Sequence, residues 1–215
     1  FIIDTAQTAG ILDIDFNGFN ADVIAFTGHK GLMGPQGTGG FVISDSANSV
    51  TSPLIEGGTG SNSDIELQPE TLPDKFEGGT MNAAGIAGLK AGVEFINSTG
   101  ISNIREHERG LARMFIDGLS SISAVTVYGP KNPDKRTATI PINVSGLEPS
   151  EVSYLLDSKY GIATRPGLHC TPGCHRTIGT FPKGTVRFSI GYFNTEKDIQ
   201  YALDALAEII QKSGI

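Results

Sequence analysis

Apolar and polar positions change their rhythm along the chain. Three short apolar runs come first: Phe1-Ile2-Ile3, Val23 to Phe26 within the stretch Ala21–Phe26, and Phe41-Val42-Ile43. Runs this short, bounded by turn residues such as Gly18-Phe19-Asn20 and Gly34 to Gly40, predict strand, connection, strand, turn and strand over residues 1–44. From Asn82 the apolar spacing becomes helical. Ile86, Leu89, Val93 and Ile96 predict a helix capped by Asn82, and Ile104, Leu111, Phe115 and Leu119 predict a second within 101–122. Val125 to Tyr128 reads as a short strand closed by Gly129-Pro130, with a charged turn over Lys131 to Arg136. Thr137 to Val144 reads as a further strand, in which Pro141 favours an edge or a bulge. A helix over Pro149 to Tyr160 ends at Gly161, and Ile162-Ala163-Thr164 and Thr185 to Ile190 are expected strands. Thr195 caps a last helix with Ile199, Leu203, Leu206 and Ile210 on one face.

The order of these elements predicts an α/β chain. The part before residue 80 suits a mostly parallel sheet. From about residue 110, alternating helices and strands suit a small α+β domain with an antiparallel sheet and helices on one face. The expected division is 1–110 and 111–215. With 215 residues there is material for one good core or two small domains. A net charge of −7 with no basic run argues against nucleic acid or an anionic membrane as the main partner. No apolar stretch is long enough to span a bilayer, and no charged start precedes an apolar leader. The two cysteines, Cys170 and Cys174, lie too close together to suggest a disulfide framework, so a reducing, cytoplasmic setting is expected.

Candidate chemistry gathers in two stretches. In the first, Thr27-Gly28-His29-Lys30 sits in the connection between two expected strands. Burial there would depress a lysine's pKa and make it a better nucleophile or base; a surface lysine on a turn is the other reading. Asp4 ends the first strand, where a carboxylate needs a cation such as a pyridinium nitrogen, or else caps a turn. Gln7 lies just beyond. Gly57-Gly58-Thr59-Gly60-Ser61 could cradle an anion on its backbone N–H groups or be an ordinary loop. Glu77-Gly78-Gly79-Thr80 precedes a helix start, a natural phosphate position. The second stretch is Arg165-Pro166-Gly167-Leu168-His169-Cys170, followed by Thr171-Pro172-Gly173-Cys174-His175-Arg176. Positive charge near Cys170 favours its thiolate, and Arg165 and Arg187 can each grip a carboxylate through paired hydrogen bonds. His169, Cys170, Cys174 and His175 could also be metal ligands, but zinc sites pair two separated clusters and no second cluster follows, so no metal is expected.

Asp4-Thr5-Ala6-Gln7 followed by Thr27-Gly28-His29-Lys30 resembles the class V group of pyridoxal-phosphate enzymes. Arg165-x-Gly-x-His-Cys170, an arginine on a later strand and Asn194-Thr195-x-x-Asp198 before the last helix narrow the resemblance to SUF-type cysteine desulfurases and selenocysteine lyases. The resemblance implies a fold-type-I architecture, with part of the large cofactor-binding domain followed by a small C-terminal domain. It implies that Lys30 carries pyridoxal 5'-phosphate, that Asp4 meets the ring nitrogen and Gln7 the ring oxygen, and that Thr27 and His29 lie near the phosphate. Gly79 and Thr80 would reach the phosphate of a neighbouring subunit in a homodimer. Arg165 and Arg187 would hold the carboxylate of cysteine or a related amino acid. Cys170 would take its sulfur as a persulfide and pass it to an acceptor protein. Class V aminotransferases share the scaffold, and a truncated chain without turnover is the non-enzyme alternative. In the family a large block precedes the Asp-x-Ala-Gln stretch, so the chain is expected to be the C-terminal portion of a longer enzyme. Thr171-Pro172-Gly173-Cys174-His175 replaces the family's more usual Ala-x-Pro segment after the cysteine.

Overall fold

In the computed structural model, residues 1–58, 61, 64 and 66–214 are described. The chain forms two compact units, Phe1–Ser102 and Asn103–Ile215. They meet ahead of the expected 110/111 division, because the helix there is continuous and its buried Leu111, Ala112, Phe115, Ile116 and Leu119 belong to the second unit's core.

The first unit holds β1 (Ile2–Asp4), β2 (Val23–Thr27) and β3 (Gly39–Ile43), in that order across one sheet. β1 and β2 are parallel, so their carboxyl ends coincide, with Asp4 opposite Ala25. β3 runs antiparallel to β2, with Thr27 opposite Gly39. These three strands therefore form a mixed sheet and not a mostly parallel one; the turn from Gly28 to Thr38 contains no crossover helix and brings the chain straight back. Phe1 and Ile2 are exposed although they belong to an apolar run, because β1 lies at the edge of the sheet. α1 (Asp45–Val50), capped by Ser44, was not visible in the sequence pattern because none of its residues is buried. α2 (Ala83–Thr99) begins at Asn82, whose side chain accepts the Gly85 N–H at 3.0 Å.

The second unit holds α3 (Ile101–Ser120, of which Asn103 onward belongs here), β4 (Val125–Val127), β5 (Thr139–Val144), α4 (Pro149–Tyr160), β6 (Arg165–Gly167), α5 (Pro172–Thr177), β7 (Thr185–Ser189) and α6 (Glu196–Lys212). All its strand pairs are antiparallel, in the order β4-β5-β7-β6. Alternate residues of β5 and β7, among them Ile140, Ile142, Val186 and Phe188, pack with Leu119, Leu156 and Leu206 from α3, α4 and α6. The opposite face carries Pro141, Arg187 and Arg165 in one cross-strand row.

Two sequence expectations change here. Pro141 sits inside the sheet and not at an edge. It lies just past the end of β4, where its carbonyl accepts the Tyr128 N–H at 3.0 Å, and Arg136 donates to the Tyr128 carbonyl in place of the missing proline N–H. Ile162 to Thr164 do not form a strand. Ile162 N–H bonds back to Leu156 at the left-handed Gly161 cap, and the Ser153 hydroxyl meets both the carbonyl and hydroxyl of Thr164, so pairing begins at Arg165.

Glu108 is an unexpected buried acid on α3, 5% exposed, with Oε2 lacking a hydrogen-bond partner. Burial raises its pKa to about 7, against the lowering effects of His107, Arg105 and the Tyr192 backbone. Between the ordinary carboxylate range and pH 7 the folded state holds the extra proton, so stability falls as pH rises through that window. Glu108→Gln removes this dependence. Denaturant titration of this chain is expected to show a gain on the order of 2–3 kcal/mol at about pH 8 and little gain at about pH 4.5. An equal effect at both pH values would contradict the assignment.

Candidate active site

In the first unit, chemistry collects where β1 and β2 end. Asp4 is exposed, and its Oδ1 accepts the Ala6 N–H at 2.8 Å. Gln7 is exposed on the turn that follows. Thr27 ends β2, and its hydroxyl pairs with His29 Nδ1 at 2.9 Å. Lys30 and His29 are exposed, whereas Gly28 is buried. Of the two readings open for each, the surface lysine on a turn and the turn-capping carboxylate are the ones seen within this unit: Asp4 is the last residue of β1 and caps the turn through Ala6, and Lys30 lies past the end of β2. The carboxyl edge of the strands is where α/β sheets bind ligands.

The lysine turn is rigid for reasons of space. A Cβ on Gly28 would stand 2.1 Å from Thr38 Oγ1, and one on Gly92 of α2 would stand 2.4 Å from the Leu32 carbonyl. Gly28 N–H bonds to Thr38 O, Gly34 N–H to Gly28 O and Met33 N–H to Lys30 O. Among the described residues no ion pair involves Asp4 or Lys30. The unit thus offers a carboxylate, a hydroxyl–imidazole pair and an amine without an ionic partner. That donor set suits a group carrying a basic ring nitrogen, an aldehyde and a phosphate, so pyridoxal phosphate fits the residues present.

Gly79 and Thr80 lie before α2. Gly79 has φ +82° and donates its N–H to Gly57 O at 2.9 Å. Gln68 ties the two glycine pairs together, accepting the Gly57 N–H and donating to the carbonyls of Asp74 and Glu77. Of the expected anion cradle, Thr59 and Gly60 lie outside the described residues. Sequence reasoning missed Lys75, which is 4% exposed and held by Glu70 at 2.8 Å, by the Asn48 carbonyl at 2.9 Å and by the ring of Phe76. Only Phe76, its immediate neighbour among these partners, could have been suspected from sequence.

In the second unit Arg165 and Arg187 stand directly opposite each other on β6 and β7, so their side chains share one face. Like charges opposite one another are unfavourable, and none of the ion pairs among the described residues involves either arginine. Burial first, then Arg165, lowers the Arg187 pKa. An incoming carboxylate would relieve both. Arg165 Nη2 donates to Cys170 Sγ at 3.5 Å, and Cys170 is exposed. Cys174 is also exposed, on α5. His175 is buried and bonded to the Thr180 hydroxyl at 2.7 Å. Among the described residues no three His, Cys, Asp or Glu side chains are grouped to hold a metal ion.

The aminotransferase class-V family model matches residues 1–202. The chain belongs to the aminotransferase class-V family. Within the family, it is 36% identical over 214 residues to a probable cysteine desulfurase of Pyrococcus abyssi, covering 98% of this chain and 52% of that protein. It is 35% identical over 213 residues to a probable cysteine desulfurase of Methanothermobacter thermautotrophicus, covering 97% and 52%. Among solved structures, the apo cysteine desulfurase of Thermococcus onnurineus superposes with a TM-score of 0.90 at 34% identity, over 99% of this chain and 52% of that one. The S-sulfonic acid form of the Escherichia coli cysteine desulfurase CsdA gives 0.86 at 27%, over 98% and 51%. The α/β fold expected from the class V resemblance stands, and the chain spans about half the length of the curated relatives it matches.

Proposed function

We propose that this chain supplies the lysine, the ring-facing carboxylate and the sulfur-accepting cysteine of a pyridoxal-phosphate-dependent cysteine desulfurase. The observation that carries the reading is an exposed cysteine held against one arginine of an otherwise unpaired cross-strand arginine pair. That arrangement provides a nucleophile beside a carboxylate grip, which is what removal of sulfur from an amino acid requires.

When bound, pyridoxal phosphate supplies the electron sink that makes bonds around the amino acid's α- and β-carbons labile. Asp4 offers its carboxylate to the ring nitrogen, and Gln7 an amide to the ring oxygen. Thr27 and His29 offer the hydroxyl and the remaining imidazole nitrogen to the phosphate. The Lys30 amine anchors the cofactor and moves protons at the substrate's carbons. Arg165 and Arg187 orient the substrate carboxylate. Cys170 Sγ attacks the substrate sulfur: an S–S bond forms, the C–S bond breaks with its electrons left on carbon, and that carbon takes a proton. Cysteine and the enzyme thiol become alanine and an enzyme persulfide.

A homodimer in which Gly79 and Thr80 serve the neighbouring subunit's phosphate, an acceptor protein for the sulfur and a cytoplasmic setting complete the reading. No helix among the described residues is long and apolar enough to cross a membrane. Product analysis on the natural protein that carries this sequence tests the reaction. With cysteine and a thiol reductant, alanine and sulfide are expected in equal amounts. A keto acid without sulfide would instead make the protein an aminotransferase.

A further inference from the structure

His169 and Cys170 are consecutive non-glycine residues in the left-handed region, at φ +52° and +63°. Each costs free energy unless its surroundings hold it there. Three contacts do so. His169 Nε2 lies 2.7 Å from the main-chain carbonyl of Arg165, and since a carbonyl can only accept, the proton resides on Nε2. Thr171 N–H and its hydroxyl both donate to the Leu168 carbonyl, closing the turn. The His169 ring lies against the ring of His175, at 5.5 Å between centroids, and His175 is pinned in turn by Thr180. Arg165, whose carbonyl receives His169, is also the residue whose guanidinium donates to Cys170 Sγ.

We infer that His169 is a positioning residue. It ties the strained Cys170 turn to the start of β6 and so keeps the cysteine sulfur against the Arg165 guanidinium. This deepens the cysteine desulfurase reading and rests on it for its purpose, though not for its test. The groups facing His169 are Arg165 on β6, Arg187 on β7 and His175 on α5, and all of them oppose a second positive charge there. Burial is the first cause lowering the His169 pKa, with the three neighbours adding to it and the Arg165 carbonyl opposing. The imidazole therefore stays neutral to lower pH than an ordinary histidine, and it clamps through hydrogen bonding, without adding charge beside the sulfur.

The sulfur's environment can be read without turnover. Iodoacetamide alkylates thiolates, and peptide mass separates Cys170 from Cys174 in the same chain, so Cys174 serves as an internal reference. Four variants decide the matter: His169→Leu, which loses the donor; His169→Gln, whose amide nitrogen can reach the same carbonyl; Arg165→Leu; and His169→Leu combined with Arg165→Leu. In His169→Leu the Cys170-to-Cys174 rate ratio at neutral pH is expected to fall at least threefold, because the sulfur loses its cation. In His169→Gln it should return to within twofold of the parent. In the Arg165→Leu background, His169→Leu should add nothing further, because the residue acts through Arg165. Circular dichroism of each variant checks that the unit is folded; if His169→Leu is misfolded, the His169→Asn variant, too short to reach the carbonyl, takes its place. An unchanged ratio in a folded donor-less variant, failure of Gln to rescue, or full additivity with Arg165→Leu would each overturn the clamp. A sulfur adduct on Cys170 with no effect of His169 removes this inference alone. A clear His169 effect with no sulfur adduct on Cys170 removes the functional reading alone.

Discussion

Cys170→Ala in the natural protein is expected to abolish the sulfur adduct that cysteine leaves on the enzyme, and to cut turnover at least about 10³-fold. The parent should gain about 32 mass units on the peptide containing Cys170, the mark of a thiol converted to a persulfide. The variant should still bind the cofactor and the amino acid, because Asp4, Lys30 and the arginine pair need no thiol. Cys174→Ala should lose no more than severalfold. The distinction comes from contacts and not from exposure, since both cysteines are exposed. Among the described residues a guanidinium donates to the sulfur of Cys170 and none to that of Cys174, and Cys170 is the nearer of the two in sequence to the strand that carries that arginine. Cys174 sits inside α5, where the basic residues are His175 and Arg176. His175 is bonded to Thr180, and Arg176 lies over the Phe181 ring at 4.6 Å. An adduct found only on Cys174, or normal desulfuration by Cys170→Ala, would overturn the assignment.

Most helices were legible because their ends and faces are local. Asn82, Gly161 and Thr195 act as the caps their residue types suggest, and Thr195 makes a reciprocal box with Asp198. The apolar rows of α3 and α6 point into a core, so periodicity found them. What could not be read depends on partners distant in sequence. Whether Pro141 sits inside a sheet turns on where β4 stops and on Arg136 arriving to take an orphaned carbonyl. Whether Ile162 to Thr164 pair as a strand turns on Ser153 claiming Thr164. The short α1 and α5 bury little, so they leave no periodic trace.

Candidate site residues were easier to name than their environments. Asp4 and Thr27 do end two parallel strands, as their positions after apolar runs implied, and Lys30 follows on the turn beyond the second. Burial, however, could not be read from the pattern: Lys30, where it was one of two open readings, is exposed, and Lys75, which no pattern singled out, is buried. A strand pattern says that side chains within the strand are covered; it says nothing of a residue three places beyond its end. Glu108 carries the same lesson from the helical side. Its position on the inner face of α3 can be counted off, but the lack of a partner for Oε2 cannot.

Those two lysines make the last expectation sharp. Lys75 is the buried one, the kind that sequence logic associates with a reactive amine. Its amine is already engaged by Glu70, by the Asn48 carbonyl and by the Phe76 ring, so it has no role left for a cofactor. Lys30 is exposed, joins no ion pair among the described residues, and stands on a turn that Gly28, Gly34 and Gly92 allow to pack tightly. A tightly packed turn carrying an amine without an ionic partner, at the same sheet edge as a carboxylate that joins no ion pair among the described residues, is the arrangement a covalently held pyridine cofactor needs. Borohydride treatment of the natural protein loaded with pyridoxal phosphate should therefore leave the cofactor's mass on the peptide containing Lys30 and none on the peptide containing Lys75. Lys30→Ala should lose turnover by roughly 10²–10⁴-fold from proton transfer alone, with further loss from the missing anchor. Lys75→Met should instead lower the denaturant midpoint while leaving the labelled fraction of folded protein unchanged, because Lys75 holds the 70–76 segment to Asn48. Label on Lys75, or undiminished turnover by Lys30→Ala, would show that the amine at the end of β2 is not the one that works.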